Sequence, residues 1–131
     1  MIDTGDTGFM MICSALVLLM TPGLVFFYGG MVRRKNVVNT MMTSIFVIGI
    51  ATVMWVLFGY SLAFGVDHLG IIGDLSHLGL VGLTGKVGEY ASTIPDLGFA
   101  MFQMMFAIIT PALITGAVAG RMKFKALFLF I

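Results

Sequence analysis

The sequence predicts an all-α, polytopic membrane protein with three transmembrane helices and the start of a fourth. Three observations carry that prediction. Hydrophobic residues make up 60% of the 131-residue chain and charged residues only 10%, too few to cover the surface of a soluble domain. Mean hydropathy is correspondingly high, at +1.10. Charge is also excluded from three stretches, residues 7–32, 36–66 and 97–120, which hold 26, 31 and 24 residues. Each exceeds the roughly 20 residues needed to cross a ~30 Å hydrocarbon core. Finally, the charges are sorted by sign. The segments Arg33–Lys35 and Arg121–Lys125 hold six of the seven basic residues and no acid, whereas Asp3, Asp6 and the stretch from Gly65 to Asp96 hold all six acids and Lys86. Short basic loops stay on the cytoplasmic side. The expected topology is therefore N-terminus outside, first link inside, long link outside, and the end of the third helix inside.

The first helix is expected over about residues 7–32. Met1 to Gly8 lacks the basic region of a cleaved signal peptide. Cys13, the single cysteine, falls within this span and is expected to be a small buried packing residue, so no disulfide framework exists. Pro22 cannot donate to the carbonyl of Leu18, which predicts a bend. At the inner end, Phe26-Phe27-Tyr28-Gly29-Gly30 reads as interfacial aromatics beside glycines that permit close packing.

The second helix is expected over about 37–64. Trp55 lies well inside it and is expected to face lipid or a neighbouring helix, while Tyr60 and Phe64 approach the outer interface, where aromatic belts form. The link over 65–95 contains seven glycines and both histidines. His68 and His77 lack metal-ligand spacing and are expected to be solvated loop residues. A link of this length is expected to fold over the outer face with a short helical piece.

The third helix, about 97–120, carries Phe102 and Phe106 four residues apart on one face, with Gln103 beside them. Counting ~1.5 Å per residue from the outer end places Phe106 on the order of 14 Å deep. Thr110-Pro111 follows one turn later and frees the carbonyl of Ala107. Ala112, Gly116 and Gly120 form a row suited to packing against another helix, a common pattern. A new apolar run, 126–131, is the expected start of a fourth helix, and its six residues point to a fragment of a longer protein.

The block from Phe9 to Thr40, FMMICSALVLLMTPGLVFFYGGMVRRKNVVNT, closely resembles the first helix and inner loop of the Amt/Rh ammonium transporter family, Amt branch. The likeness continues through WVLFGYSLAFG (55–65) and AMFQMMFAIITPALITGAVAGR (100–121), leaving only the link indistinct. Gly120 departs from the pattern, since many relatives carry a glutamate before the arginine. The resemblance implies an eleven-helix protomer in the cell membrane, N-terminus extracellular, assembled as a homotrimer with one pore per subunit. It implies that Phe106 gates the pore and helps form an outer ammonium site, with Phe102 as its aromatic companion, and that Leu24 and Phe27 line the inner part of the path. The pore histidines of the family lie on helices beyond this chain, so neither His68 nor His77 matches them. A PII-type regulatory protein on the cytoplasmic face is implied in the same way.

Ammonium or ammonia is thus the expected substrate and the lipid bilayer the expected surrounding. The reading calls for no enzyme activity, cofactor, metal or nucleic-acid partner. Three rival functions make different demands on the sequence. A copper transporter would use Met101-x-x-x-Met105 as soft ligands, but the extracellular arm has no methionine cluster. A haem-binding subunit needs histidines within the spans, and the sequence has none there. An ammonium sensor would couple the same core to a signalling partner, which a kinase-like or cyclase-like extension would reveal.

Overall fold

The computed structural model describes residues 2–68, 70–88 and 90–131. Met1, Leu69 and Glu89, the last being one of the acids of the long link, lie outside the described residues. Three long helices form a bundle, and each is long and apolar enough to cross a membrane: Thr4–Met31, Arg34–Phe64 and Asp96–Val118. Chains this apolar are driven to helix in a bilayer because only intrasegment hydrogen bonding satisfies the backbone there.

Helix α1 spans Thr4–Met31. Asp3 caps it, its Oδ1 accepting from the Asp6 N–H at 2.9 Å, and the Asp3 N–H donates to the Thr93 carbonyl at 2.8 Å. The helix continues unbroken through Pro22, and its buried stripe is Thr21, Val25 and Gly29. Cys13 is half-buried, not buried as expected, because the N-terminal part of α1 is covered on one side only. Gly29 does permit close packing, with Met41 and Val37 of the next helix against it, whereas a Cβ at Gly30 would have open space among the described residues.

After a 3₁₀ turn at Arg34–Asn36, helix α2 runs Val37–Met54. It widens into a π-turn at Trp55–Gly59 and resumes as α3, Tyr60–Phe64. The charge-free length forecast one span there and held no signal of the π-turn. In the link, a two-residue antiparallel hairpin pairs β1 (Asp67–His68) with β2 (Ile72–Gly73), and a 3₁₀ turn forms at Leu78–Leu80. Helix α4 spans Asp96–Val118, and α5 spans Phe124–Phe130.

The bundle has two apolar centres. Ala51, Met105 and Ile108 form one in mid-bundle, with Val17, Ile48 and Met104 against them. Tyr60, Leu83 and Ala100 form the other, beneath the link, flanked by Trp55, Phe64, Leu80, Leu97 and Phe99. Tyr60 is therefore a core residue, 2% exposed, and not part of an interfacial belt. Phe64 likewise packs edge-on against Trp55, Tyr90 and Phe99. The folded link supplies the cover that an unfolded loop would not.

Beside this apolar packing, α2 and α4 also make a polar contact. Ser44 and Thr115, both buried, share a hydrogen bond of 2.9 Å, while Thr115 also donates to the Ala112 carbonyl at 2.7 Å. The glycine row on α4 divides. Gly116 lies directly under the Tyr28 ring of α1, but Gly120 falls beyond the helix, in a turn with φ +71°. Left-handed backbone favours glycine and ends the helix, so the spacing does not form a two-glycine packing face.

Candidate functional site

The N-terminal half of α4 carries an aromatic arrangement on the surface of the bundle. The buried stripe of this helix, Met105, Ile108, Ala112 and Thr115, faces α1 and α2. Phe102 and Phe106 lie on another side. They project four residues apart, and their rings meet edge to face, with centroids 5.2 Å apart at 75°. Phe102 is half-buried and Phe106 is 44% exposed. The face of a phenyl ring carries negative charge density, which attracts a small cation. Gln103 is half-buried beside them.

Below the pair, Thr110 donates its hydroxyl to the Phe106 carbonyl at 2.8 Å. Pro111 leaves the neighbouring Ala107 carbonyl without its helical donor, and α4 nonetheless continues through it.

The structure places Leu24 and Phe27 on α1, half-buried and 60% exposed respectively. The Phe27 ring is tilted against Tyr28 at 5.7 Å. Tyr28 sets the level of α1 against α4, because its ring covers Gly116 and its hydroxyl donates to the Leu113 carbonyl at 3.1 Å. Phe27 thus sits roughly 14 Å further along the bundle than Phe106, by helical rise. The four predicted residues fall into two levels: the structure brings Phe102 and Phe106 together and leaves Leu24 and Phe27 apart from them.

Three polar contacts near these levels were not foreseen. One is the Tyr28 bond just described. The second joins the Trp55 indole N–H to the Ala100 carbonyl at 3.1 Å, which makes α4 the neighbour that Trp55 faces. The third runs from the Tyr60 hydroxyl to Asp96 Oδ1 at 3.0 Å. Aromatics with a polar tip seek a partner when buried, but the sequence carries no sign of which one.

His68 is exposed in the hairpin. His77 is half-buried, with its ring 6.3 Å from that of Tyr60, so it is not the freely solvated residue expected. Among the described residues, no group of three or more His, Cys, Asp or Glu side chains is placed to hold a metal ion. Met101 and Met105 line an apolar cleft of about 240 Å³ between α1 and α4, together with Met10 and Met11.

The family model described as Ammonium Transporter Family matches residues 8–131. The ammonium transporter of Bacillus subtilis (strain 168) is 54% identical over 126 residues, a match covering 96% of this chain and 31% of that protein. The ammonium transporter of Mycobacterium tuberculosis (strain ATCC 25618 / H37Rv) is 51% identical over 143 residues, covering 98% of this chain and 30% of that protein. The fold is similar to the crystal structure of Saccharomyces cerevisiae Mep2, with a TM-score of 0.85 and 31% identity over 98% of this chain and 30% of that one. The chain spans about 30% of the length of these relatives.

Proposed function

Since this chain belongs to the ammonium transporter family, a family of membrane transporters and not of enzymes, we propose that it forms one wall of an ammonium-conducting pore. In this reading the pore is completed by further helices of an eleven-helix subunit. Phe102 and Phe106 form the outer recruitment site and gate, and Leu24 and Phe27 line the inner part of the path. The observation that carries the reading is the edge-to-face Phe102–Phe106 pair, with Phe102 half-buried and Phe106 exposed, on a side of α4 other than its buried stripe.

The chemistry follows from what such a face can do. Ammonium is a small cation, and an aromatic face attracts it by roughly 0.5–2 kcal/mol. The same two rings narrow the path to an apolar neck that excludes hydrated sodium and potassium. A bare charge would enter that neck only at a cost of several kcal/mol. Ammonium therefore gives up a proton at the outer site and crosses as neutral ammonia, whereas potassium has no proton to give. The proton passes to pore histidines on helices outside this chain.

The segregation of basic and acidic residues supports a cell-membrane subunit with its N-terminus and the 65–95 link extracellular. The family supports a homotrimer with one pore per subunit and a PII-type regulatory protein on the cytoplasmic face. The test is Phe106→Ala in the full-length transporter. Methylammonium uptake should change by roughly tenfold, the size of a lost cation–π contact, while the trimer elutes unchanged on size exclusion. Wild-type uptake would remove Phe106 from the site.

A further inference from the structure

We propose that Trp55 and Tyr60 are positioning residues for the Phe102–Phe106 pair, and that the π-turn between them exists to let both grip the outer end of α4. The inference rests on the pore reading of that pair.

Residues five apart in a regular α-helix point about 140° away from each other. Trp55 and Tyr60 are five apart, yet both reach α4. The π-turn at Trp55–Gly59 accounts for this, because it winds about one extra residue into the turn and brings i and i+5 into line. Its defining bond runs between these same two residues, from the Tyr60 N–H to the Trp55 carbonyl. Their rings consequently lie close, with centroids 6.0 Å apart at 76°. Gly59 makes room for the arrangement, since a Cβ there would stand 3.3 Å from Trp55 Cε3 and from the Met54 carbonyl oxygen.

The two partners on α4, Asp96 and Ala100, are four residues apart and so share one face. Trp55 takes the Ala100 carbonyl at 3.1 Å, and Tyr60 takes Asp96 Oδ1 at 3.0 Å. An i, i+5 pair is thus matched to an i, i+4 pair, a fit that an unbroken α-helix could not offer. Both grips act on a buried region, since Tyr60 is 2% and Ala100 1% exposed. They also act where α4 needs them. The helix begins at Asp96, and Pro95 before it provides no side-chain cap; its backbone ties to the link are the Asp96 N–H to the Lys86 carbonyl at 3.0 Å and a bridge of Pro95 with Val87. The Trp55 bond ends on main chain, so it sets both the height and the rotation of α4 two residues before Phe102.

The experiment compares Trp55→Phe, Tyr60→Phe and Phe106→Ala in the full-length transporter, measuring apparent KM and maximal rate of methylammonium uptake together with the amount of trimer in the membrane. Trp55→Phe and Tyr60→Phe should each raise KM roughly three- to tenfold, the weight of one net hydrogen bond, at unchanged trimer level and maximal rate. Asp96→Ala should reproduce Tyr60→Phe. Asp96→Asn, which keeps an acceptor oxygen for the Tyr60 hydroxyl, should restore KM to within about twofold. A merely structural role would lower trimer level and maximal rate at constant KM, and that result overturns the proposal. Tyr60→Phe removes a single oxygen and carries the test alone if Trp55→Phe fails to reach the membrane. If Phe106→Ala leaves uptake unchanged, the pore reading fails. If it alters uptake while Tyr60→Phe keeps the wild-type KM, only the positioning role fails.

Discussion

At the scale of single residues, the bundle depends on a few side chains whose value lies in size or in one polar atom. Gly116 is such a position, because a methyl group there would clash with the Tyr28 ring. Gly116→Ala should displace that ring, break its 3.1 Å bond to the Leu113 carbonyl, and destabilise the detergent-solubilised protein by about 1–3 kcal/mol, read as a lower melting temperature. Thr21 is the opposite case. It is 1% exposed, and its Oγ1 has no hydrogen-bond partner among the described residues. Burying an unpaired hydroxyl costs roughly 1–3 kcal/mol, so Thr21→Val should leave the melting temperature unchanged or raise it. A clear drop would show that the hydroxyl is engaged. The sequence made the apolar setting of both residues legible. The pairing of Gly116 with Tyr28 was not legible, because 88 positions separate them in the chain.

At the scale of elements, long helices were readable because charge-free length is a one-dimensional property. Interruptions within them were not. Pro22 and Pro111, conspicuous in sequence, leave α1 and α4 continuous, while the π-turn at Trp55–Gly59 falls in a run with no breaker but Gly59. Proline acts locally through its own missing donor, whereas the π-turn serves a match to another helix and has no local signature. The link is organised by one carboxylate. Asp74 accepts from the Ser76 hydroxyl at 2.6 Å, from the Ser76 N–H at 3.1 Å and from the Val66 N–H at 3.1 Å. These bonds, those from Ser76 first, hold its pKa below the ordinary value of 3.8. A carboxyl lowered in this way stabilises the fold above its unfolded pKa, and that contribution disappears as pH falls through the lower, folded one. Amide-exchange protection at Val66 and Ser76, corrected for intrinsic rates, should therefore hold near pH 5 and fall away only below 3.8. Asp74→Asn should remove this pH dependence.

At the scale of the whole molecule, the surface is strongly apolar. Phe9, Met11, Leu19, Phe26, Phe27 and Phe106 are among the large apolar side chains left exposed, far more than a water-facing protein tolerates. A bilayer satisfies part of that surface and, under the proposed function, further helices satisfy the rest. The 131-residue chain reconstituted alone should accordingly show no selective ammonium flux in proteoliposomes, and measurable flux would contradict the one-wall reading. The sequence by itself determined the class, the number of spans, the sorting of charge between the two ends and the family. All of these are written in composition and contiguous pattern, which a bilayer reads directly through transfer energies. Only the tertiary structure decided which side of α4 turns away from the bundle, that Tyr60 is core, that Gly120 is a turn and not a packing face, and that Trp55 and Tyr60 meet α4 together. Those are matters of relative rotation between helices that are apolar all round. With no amphipathic stripe to orient such a helix, its facing is chosen by a few specific contacts distant in sequence.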